Sequence, residues 1–252
     1  MTITIITPSF NSAGTIQHTI DSILGQSYTK VEYLIIDGGS TDGTPDIVAS
    51  YGEQIQRFIS EPDQGLYDAM NKGIDLATGE IVGILNSDDF YSDESVLEKV
   101  ATAFQSGKVD SVYGDLQYVD PVDTKKVIRD WKSGDYKASN FLYGWMPPHP
   151  TFFVRRKFYQ KYGPFDISLR SSADYELMLR FLYRYRISSH YIPEVLVQMR
   201  AGGVSNASFR HRLRANREDR LAWEKNGLQP KFFTTLIKPV RKIVQFKSLF
   251  RI

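Results

Sequence analysis

Short β-branched runs alternate with helical patterns through the first half of the chain, and that alternation is the signature of an α/β domain on a largely parallel sheet. Residues 2–7 are β-branched and apolar, and Ile16, Ile20, Ile23 and Leu24 then recur at helical spacing. An apolar stretch over 31–36 ends in Asp37, and the glycine-rich turn 38–43 leads into another short helix. The pattern predicts a weaker strand over 56–60 and a helix over 66–77 that stops at Gly79. Residues 81–85 form a continuous apolar run before Asn86, Ser87, Asp88 and Asp89, which reads as a buried central strand. A helix over about 94–105 and a strand over 109–113, ending at Gly114 and Asp115, close this half. The second half is less regular. Strands are predicted over 126–131, 151–154 and 190–199, with a proline-constrained loop over 146–150. A helix over 173–185 carries an apolar stripe at Leu177, Met178, Phe181 and Leu182, and a basic helix begins near Ser208.

With 42% hydrophobic residues in 252, the chain has enough apolar surface to offset the entropy of ordering, which excludes a disordered protein. It has no cysteine, so a disulfide scaffold, a thiolate metal site and a cysteine nucleophile are excluded, and a reducing, cytoplasmic setting is expected. The first residues lack a basic region ahead of their short apolar stretch and do not read as a signal peptide. No run approaches the ~18 apolar residues of a membrane-spanning helix. The formal charge of +2 hides an uneven distribution: residues 225–252 hold seven of the 31 basic residues and no acid, leaving 24 basic against 29 acidic in the rest. An acidic body with a basic tail argues against nucleic-acid binding and divides the chain into a domain over 1–224 and a tail over 225–252. Within the tail, Phe233, Leu236, Ile237, Val240, Ile243 and Val244 follow a helical period beside Lys238, Arg241 and Lys242. Residues 231–252 are therefore expected to dock as an amphipathic helix on the inner face of the cell membrane, the alternative being a C-terminal helix packed on the domain.

Three apolar strands end in acid, at Asp37, at Asp88 with Asp89, and at Asp115. Ligands of open α/β sheets bind at the carboxyl ends of strands, so these acids should converge on one edge. Asp42 reads as an ordinary turn residue. Adjacent carboxylates after a buried strand repel one another and call for a cation, and hard oxygen ligands suit Mg²⁺ or Mn²⁺ bridging to a diphosphate. G-x-G-x-x-G, G-x-x-x-x-G-K-[ST] and H-E-x-x-H are all absent, which removes dinucleotide oxidoreductases, P-loop NTPases and zincins.

Four motifs, in this order and spacing, resemble glycosyltransferase family 2: Thr7-Pro8-Ser9-Phe10-Asn11; the stretch from Ile36 to Thr44; the stretch from Asp63 to Ile74; and Asn86-Ser87-Asp88-Asp89. The resemblance spans about 2–205 and is nearest to bacterial transferases that add the second sugar of O-antigen or capsule repeat units. It implies a GT-A fold with a Rossmann-like domain, a nucleotide-sugar donor, a divalent metal (Mn²⁺ or Mg²⁺) and inversion at the anomeric carbon. By motif, Thr7, Pro8 and Phe10 would line the base, and Asp37 would accept the uracil N–H, favouring a UDP-sugar. Asp88 would contact the ribose or the metal and Asp89 would hold the metal, while Asn71 and Lys72 fall in the donor-facing motif. Ser172-Ala173-Asp174-Tyr175-Glu176 resembles the family's acidic motif, with Asp174 as catalytic base. Asp174 shares the inward face with Leu177, Met178 and Phe181, and Glu176 does not. His149 matches a segment near the acceptor, and Arg200 opens a closing loop where it would hold the diphosphate.

These implications converge on a hexosyltransferase using a UDP-sugar, glucose before galactose, and a lipid-diphosphate-linked sugar acceptor in surface polysaccharide synthesis. Two alternatives stand beside it. A sugar-1-phosphate nucleotidyltransferase shares the architecture but should carry a glycine-rich, arginine-containing loop after the first strand, and none is present. An inactive nucleotide- or carbohydrate-binding module would not need the intact acids.

Overall fold

In a computed structural model, residues 1–202 and 209–234 are described. The β-branched runs form strands β1 (Ile3–Ser9), β2 (Val31–Asp37), β3 (Arg57–Ser60) and β4 (Ile81–Ile84), joined through helices α1 (Ile16–Leu24), α2 (Thr44–Ala49) and α3 (Leu66–Leu76). These strands pair in parallel in the order β3-β2-β1-β4. The sheet continues through β8 (Phe153–Arg155), β6 (Ser111–Val119), β9 (Ser189–Arg200) and β5 (Asp89–Tyr91), and β7 (Val127–Trp131) pairs with β6. Antiparallel pairings flank β8, and β6 pairs in parallel with β9, so β1, β2, β3, β4, β6 and β9 all run one way. Their carboxyl ends share one edge, where Asp37 ends β2; Asp115 was expected at a strand end and instead lies inside β6.

Each face of the sheet carries its own core. Ile3, Ile5 and Ile35 pack with α1 and with α4 (Val96–Ser106), whose Leu97 and Val100 are buried. Ile6, Leu34 and Ile36 point the other way, into a core completed by α3, by α6 (Ala173–Met178) with the π-helical turn Leu179–Arg184 that extends it, and by α7 (Phe209–Lys225). The strands are apolar on both faces because both are covered. Gly73 lets α3 lie against β1, since a Cβ there would collide with the side chain of Ile6. Gly65, at φ +114°, turns the chain into α3.

Three features were not anticipated. β5 begins within the acidic motif itself, α5 (Lys157–Tyr162) follows β8, and β6 runs to Val119, well past residue 113. α7 also continues onto the domain: Trp223 and Asn226 are buried, and Thr234 is buried with its hydroxyl on the Leu142 carbonyl at 2.7 Å. The chain thus stays packed beyond residue 224 through Thr234, while residues 203–208 of the closing loop and 235–252 of the tail lie outside the described residues. Among the described residues no helix is long and apolar enough to cross a membrane.

Candidate active site

Strand register assembles the first part of the site. Ser9, Asp37 and Ser60 are register partners at the ends of β1, β2 and β3, so their side chains meet. Asp37 is fully buried and accepts five hydrogen bonds, from the Ser9, Ser40 and Ser60 hydroxyls and from the Gly39 and Ser40 amides. Despite its burial, these donors hold its carboxyl below the usual range. Asp42 behaves as the turn residue expected of it, accepting from Thr44 and from the Ala13 amide. Phe10, just past β1, is 63% exposed and offers an open ring face beside this cluster. Thr7 has no exposed surface and accepts a bond from the Tyr33 hydroxyl at 3.2 Å, and Pro8 is buried in β1. These two residues shape the sheet edge from beneath rather than lining it.

The donor-facing motif on α3 also departs from expectation. Both ends of the Asn71 amide are spent on the Phe165 backbone, each at 2.9 Å, so Asn71 fastens a distant loop. Lys72 pairs with Glu61 at 2.7 Å and lies near Asp68 at 3.9 Å, and those acids hold its ammonium charged.

The acidic pair splits in two. Asp89 begins β5 opposite Met199, is 0% exposed, and has one oxygen on the Asn86 amide while the other has no partner. Burial, and then the neighbouring Asp88, push its carboxyl well above the usual range. Asp88 lies ahead of the strand and is partly exposed; burial raises its pKa, opposed by the charges of Arg200 and His149. Of the pair, Asp88 is the partly exposed residue and Asp89 the wholly buried one. Arg200, at the end of β9, donates to the Asp88 carbonyl, contacts His18 Nδ1 at 2.7 Å and lies over the Phe90 ring. His18 itself stacks on Phe90 with centroids 4.1 Å apart, so Arg200 pins the acidic turn to α1.

Asp174 stands in the first turn of α6 with its side chain 19% exposed. Its Oδ1 accepts from the Tyr67 hydroxyl at 3.2 Å, and its Oδ2 lies 3.3 Å from His149 Nδ1. Tyr67 stood in one of the recognised motifs without an assigned role; no local signal marks it, since its partner is 107 positions away. His149 feels Asp88 on one side and touches Asp174 on the other, linking the two acids. Tyr118 is influenced by the charges of both Asp89 and Asp174 and lies under the Arg129 guanidinium, 3.6 Å from its ring centroid.

Two other acids are structural. Asp115 is buried and accepts from the Ser133 amide and the Tyr191 hydroxyl, both at 2.8 Å. Glu176 was expected to face away from the core; instead it is 4% exposed and bonded to Arg180 and Asn226. α7 covers the second side of the helix, which spacing within the helix could not reveal. Glu176→Ala is expected to cost about 3 kcal/mol of stability by leaving Arg180 without its carboxylate. Denaturant unfolding should show that loss, with kcat unchanged in the folded protein.

The match to known proteins fits this geometry. The family described as Glycosyl transferase family 2 matches residues 4–163, which run from β1 through α5 and include Asp37, Asp88 and Asp89. The chain belongs to glycosyltransferase family 2. The transferase is 32% identical over 207 residues to a Mycobacterium bovis protein named PGL/p-HBAD biosynthesis glycosyltransferase, covering 80% of this chain and 78% of that one. In structure it resembles Staphylococcus aureus TarS 1-349 in complex with UDP-GlcNAc, with TM-score 0.69 and 17% identity, over 94% of this chain and 70% of the other. It spans 39% of a longer TarS chain. It also resembles the mannosyltransferase PcManGT of Pyrobaculum calidifontis in complex with GDP-Man and Mn²⁺, with TM-score 0.66 and 20% identity, over 93% of this chain and 67% of that one. These two likenesses place the transferase in the GT-A fold.

Proposed function

We propose that the transferase moves a hexose, glucose before galactose, from a UDP-sugar to a lipid-diphosphate-linked sugar with inversion, as a step of surface polysaccharide synthesis. The observation that carries this reading is the grouping around His149, which lies 3.3 Å from Asp174 and whose charge acts on Asp88, with the exposed Phe10 just past β1. Phe10 stacks on the uracil. Asp37 accepts the uracil N–H when one of its serine hydroxyls gives way. Arg200, already holding the Asp88 backbone, is placed to neutralise the diphosphate.

The residues present fit a divalent cation. Asp88 offers a partly exposed hard oxygen, and the buried Asp89 beside it has one carboxylate oxygen with no hydrogen-bond partner, which a cation reaching the pair would satisfy. Among the described residues no group of three or more His, Asp or Glu side chains could hold a metal, so Asp88, with Asp89 beside it, would hold the ion together with the donor phosphates. When bound, Mn²⁺ or Mg²⁺ supplies a Lewis acid for the departing diphosphate. Asp174 takes the proton of the acceptor hydroxyl as that oxygen attacks the anomeric carbon from the face opposite UDP. The relatives named for PGL/p-HBAD biosynthesis support an acceptor of biosynthetic rather than degradative origin.

The test is acceptor-dependent UDP release from UDP-glucose with Mn²⁺, using a lipid-diphosphate-linked N-acetylhexosamine. Turnover should cease in excess chelator. Full turnover under chelation, or a GDP-sugar used as well as the UDP-sugar, would overturn the reading. The basic tail is proposed to hold the enzyme at the cytoplasmic face of the membrane, beside such an acceptor.

A further inference from the structure

Asp174 is held more firmly than a base needs for its charge alone. Its two oxygens are approached separately: Oδ1 accepts from the Tyr67 hydroxyl at 3.2 Å, and Oδ2 lies 3.3 Å from His149 Nδ1. The two donors come from the first turn of α3 and from the short helical turn His149–Thr151, and each is braced in turn. Tyr67 stacks on Phe165 with centroids 5.6 Å apart, and Asn71 locks the backbone of Phe165 through both ends of its amide. The His149 turn has prolines on either side, and buried Thr151 ties it to β6 through bonds to the Pro148 and Gly114 carbonyls at 2.9 and 3.1 Å.

We propose that Tyr67 and His149 are positioning residues that fix the plane of the Asp174 carboxylate, with Asn71 and Phe165 bracing the Tyr67 side. The proposal rests on Asp174 being the base. A carboxylate has two soft side-chain torsions, and proton transfer in step with attack needs one lone pair aimed at the acceptor hydroxyl. One donor on each oxygen sets the plane and leaves a second lone pair on each oxygen available. His149 Nδ1 must carry its proton to face a carboxylate oxygen favourably, which leaves Nε2 as the other polar atom of the ring. Burial and the Asp174 charge raise the Tyr67 pKa well above its ordinary value, so the phenol remains a donor throughout the working range.

Tyr67→Phe removes one hydroxyl and keeps the ring against Phe165, His149→Ala removes the other donor, and His149→Asn restores an N–H near the Nδ1 position. Each of the first two should lower kcat about 10–100-fold, the scale expected when a reacting group is misplaced by about 1 Å. Donor KM should stay within about twofold and the melting temperature near that of the native protein, whereas a merely structural contact would move the melting temperature and spare kcat. His149→Asn should recover part of the lost kcat. In an Asp174→Asn background neither substitution should lower the residual rate further, because the group they position is gone. If Asp174→Asn is inactive while Tyr67→Phe and His149→Ala retain full kcat, or if their losses add to that of Asp174→Asn, positioning is overturned and the base stands. If Asp174→Asn is nearly fully active, the underlying base assignment has failed. Should His149→Ala not fold, Tyr67→Phe decides the matter, since it deletes a single oxygen.

Discussion

Asp174→Asn is expected to lower kcat by ~10²–10⁴ while UDP affinity stays within a few fold, because a positioned base contributes on that scale. The amide keeps the shape of the carboxylate and can still accept from one neighbour, but it cannot take a proton at neutral pH. It also brings an NH₂ to face either the Tyr67 hydroxyl or His149 Nδ1, and both groups can rotate or shift a proton to suit it. The rival account is that Asp174 only favours the start of α6 through the helix dipole, worth about 0.3–1 kcal/mol. That account predicts a lowered melting temperature with near-normal turnover, so steady-state kinetics beside a thermal melt separate the two. Such an outcome would not send the search to Glu176 or Asp115. Glu176 is 4% exposed and held by Arg180 and Asn226, and Asp115 is 6% exposed with Ser133 and Tyr191 both on its Oδ1, so both carboxylates are buried away from an acceptor. His149, 29% exposed and already beside Asp174, would be the next group to test.

What the sequence made legible was whatever a short period encodes. Strands β1 to β4 and helices α1 and α3 appear near their expected bounds because continuous apolar runs and 3.6-residue spacing mark them, and Asp37 ends β2 as expected, whereas Asp115 lies inside β6 and Asp89 begins β5. Partnerships across long separations were not legible. Ser9 and Ser60 reach Asp37 only once the three strands are in register, so the sequence shows a candidate base-binding acid and not the five donors around it. Asn71 lies in a motif that suggested contact with the donor, yet its partner is Phe165, 94 positions on. Glu176 lies off the apolar stripe of its own helix and is nevertheless buried, because Asn226 approaches from α7. In each case the side chain obeys its local pattern, and a neighbour remote in sequence decides what it does.

The division between Asp88 and Asp89 yields the other large effect. Asp88→Asn should weaken Mn²⁺-dependent binding of UDP by more than ~100-fold, since even an outer partner of a metal ligand is worth about 10–100-fold in affinity. Calorimetry with UDP, with and without Mn²⁺, reads this directly: binding to the variant should become nearly indifferent to the metal, and turnover should be lost with it. Asp89→Asn should leave the same titration within a few fold of the native protein. Its carboxylate is wholly buried in β5 with one oxygen on the Asn86 amide, whereas Asp88 is partly exposed. The substitution should also leave the melting temperature unchanged or raised. Burial makes the ionised form of Asp89 costly, and a neutral amide of the same shape removes that cost while supplying an N–H donor. The contrast depends on β5, a strand of three residues that is too short to show as a period yet fixes which of two adjacent acids is buried. A metal response abolished by Asp89→Asn and kept by Asp88→Asn would mean that β5 opens when the donor binds, which would bring Asp89 to the ion and return the pair to the roles its motif first suggested.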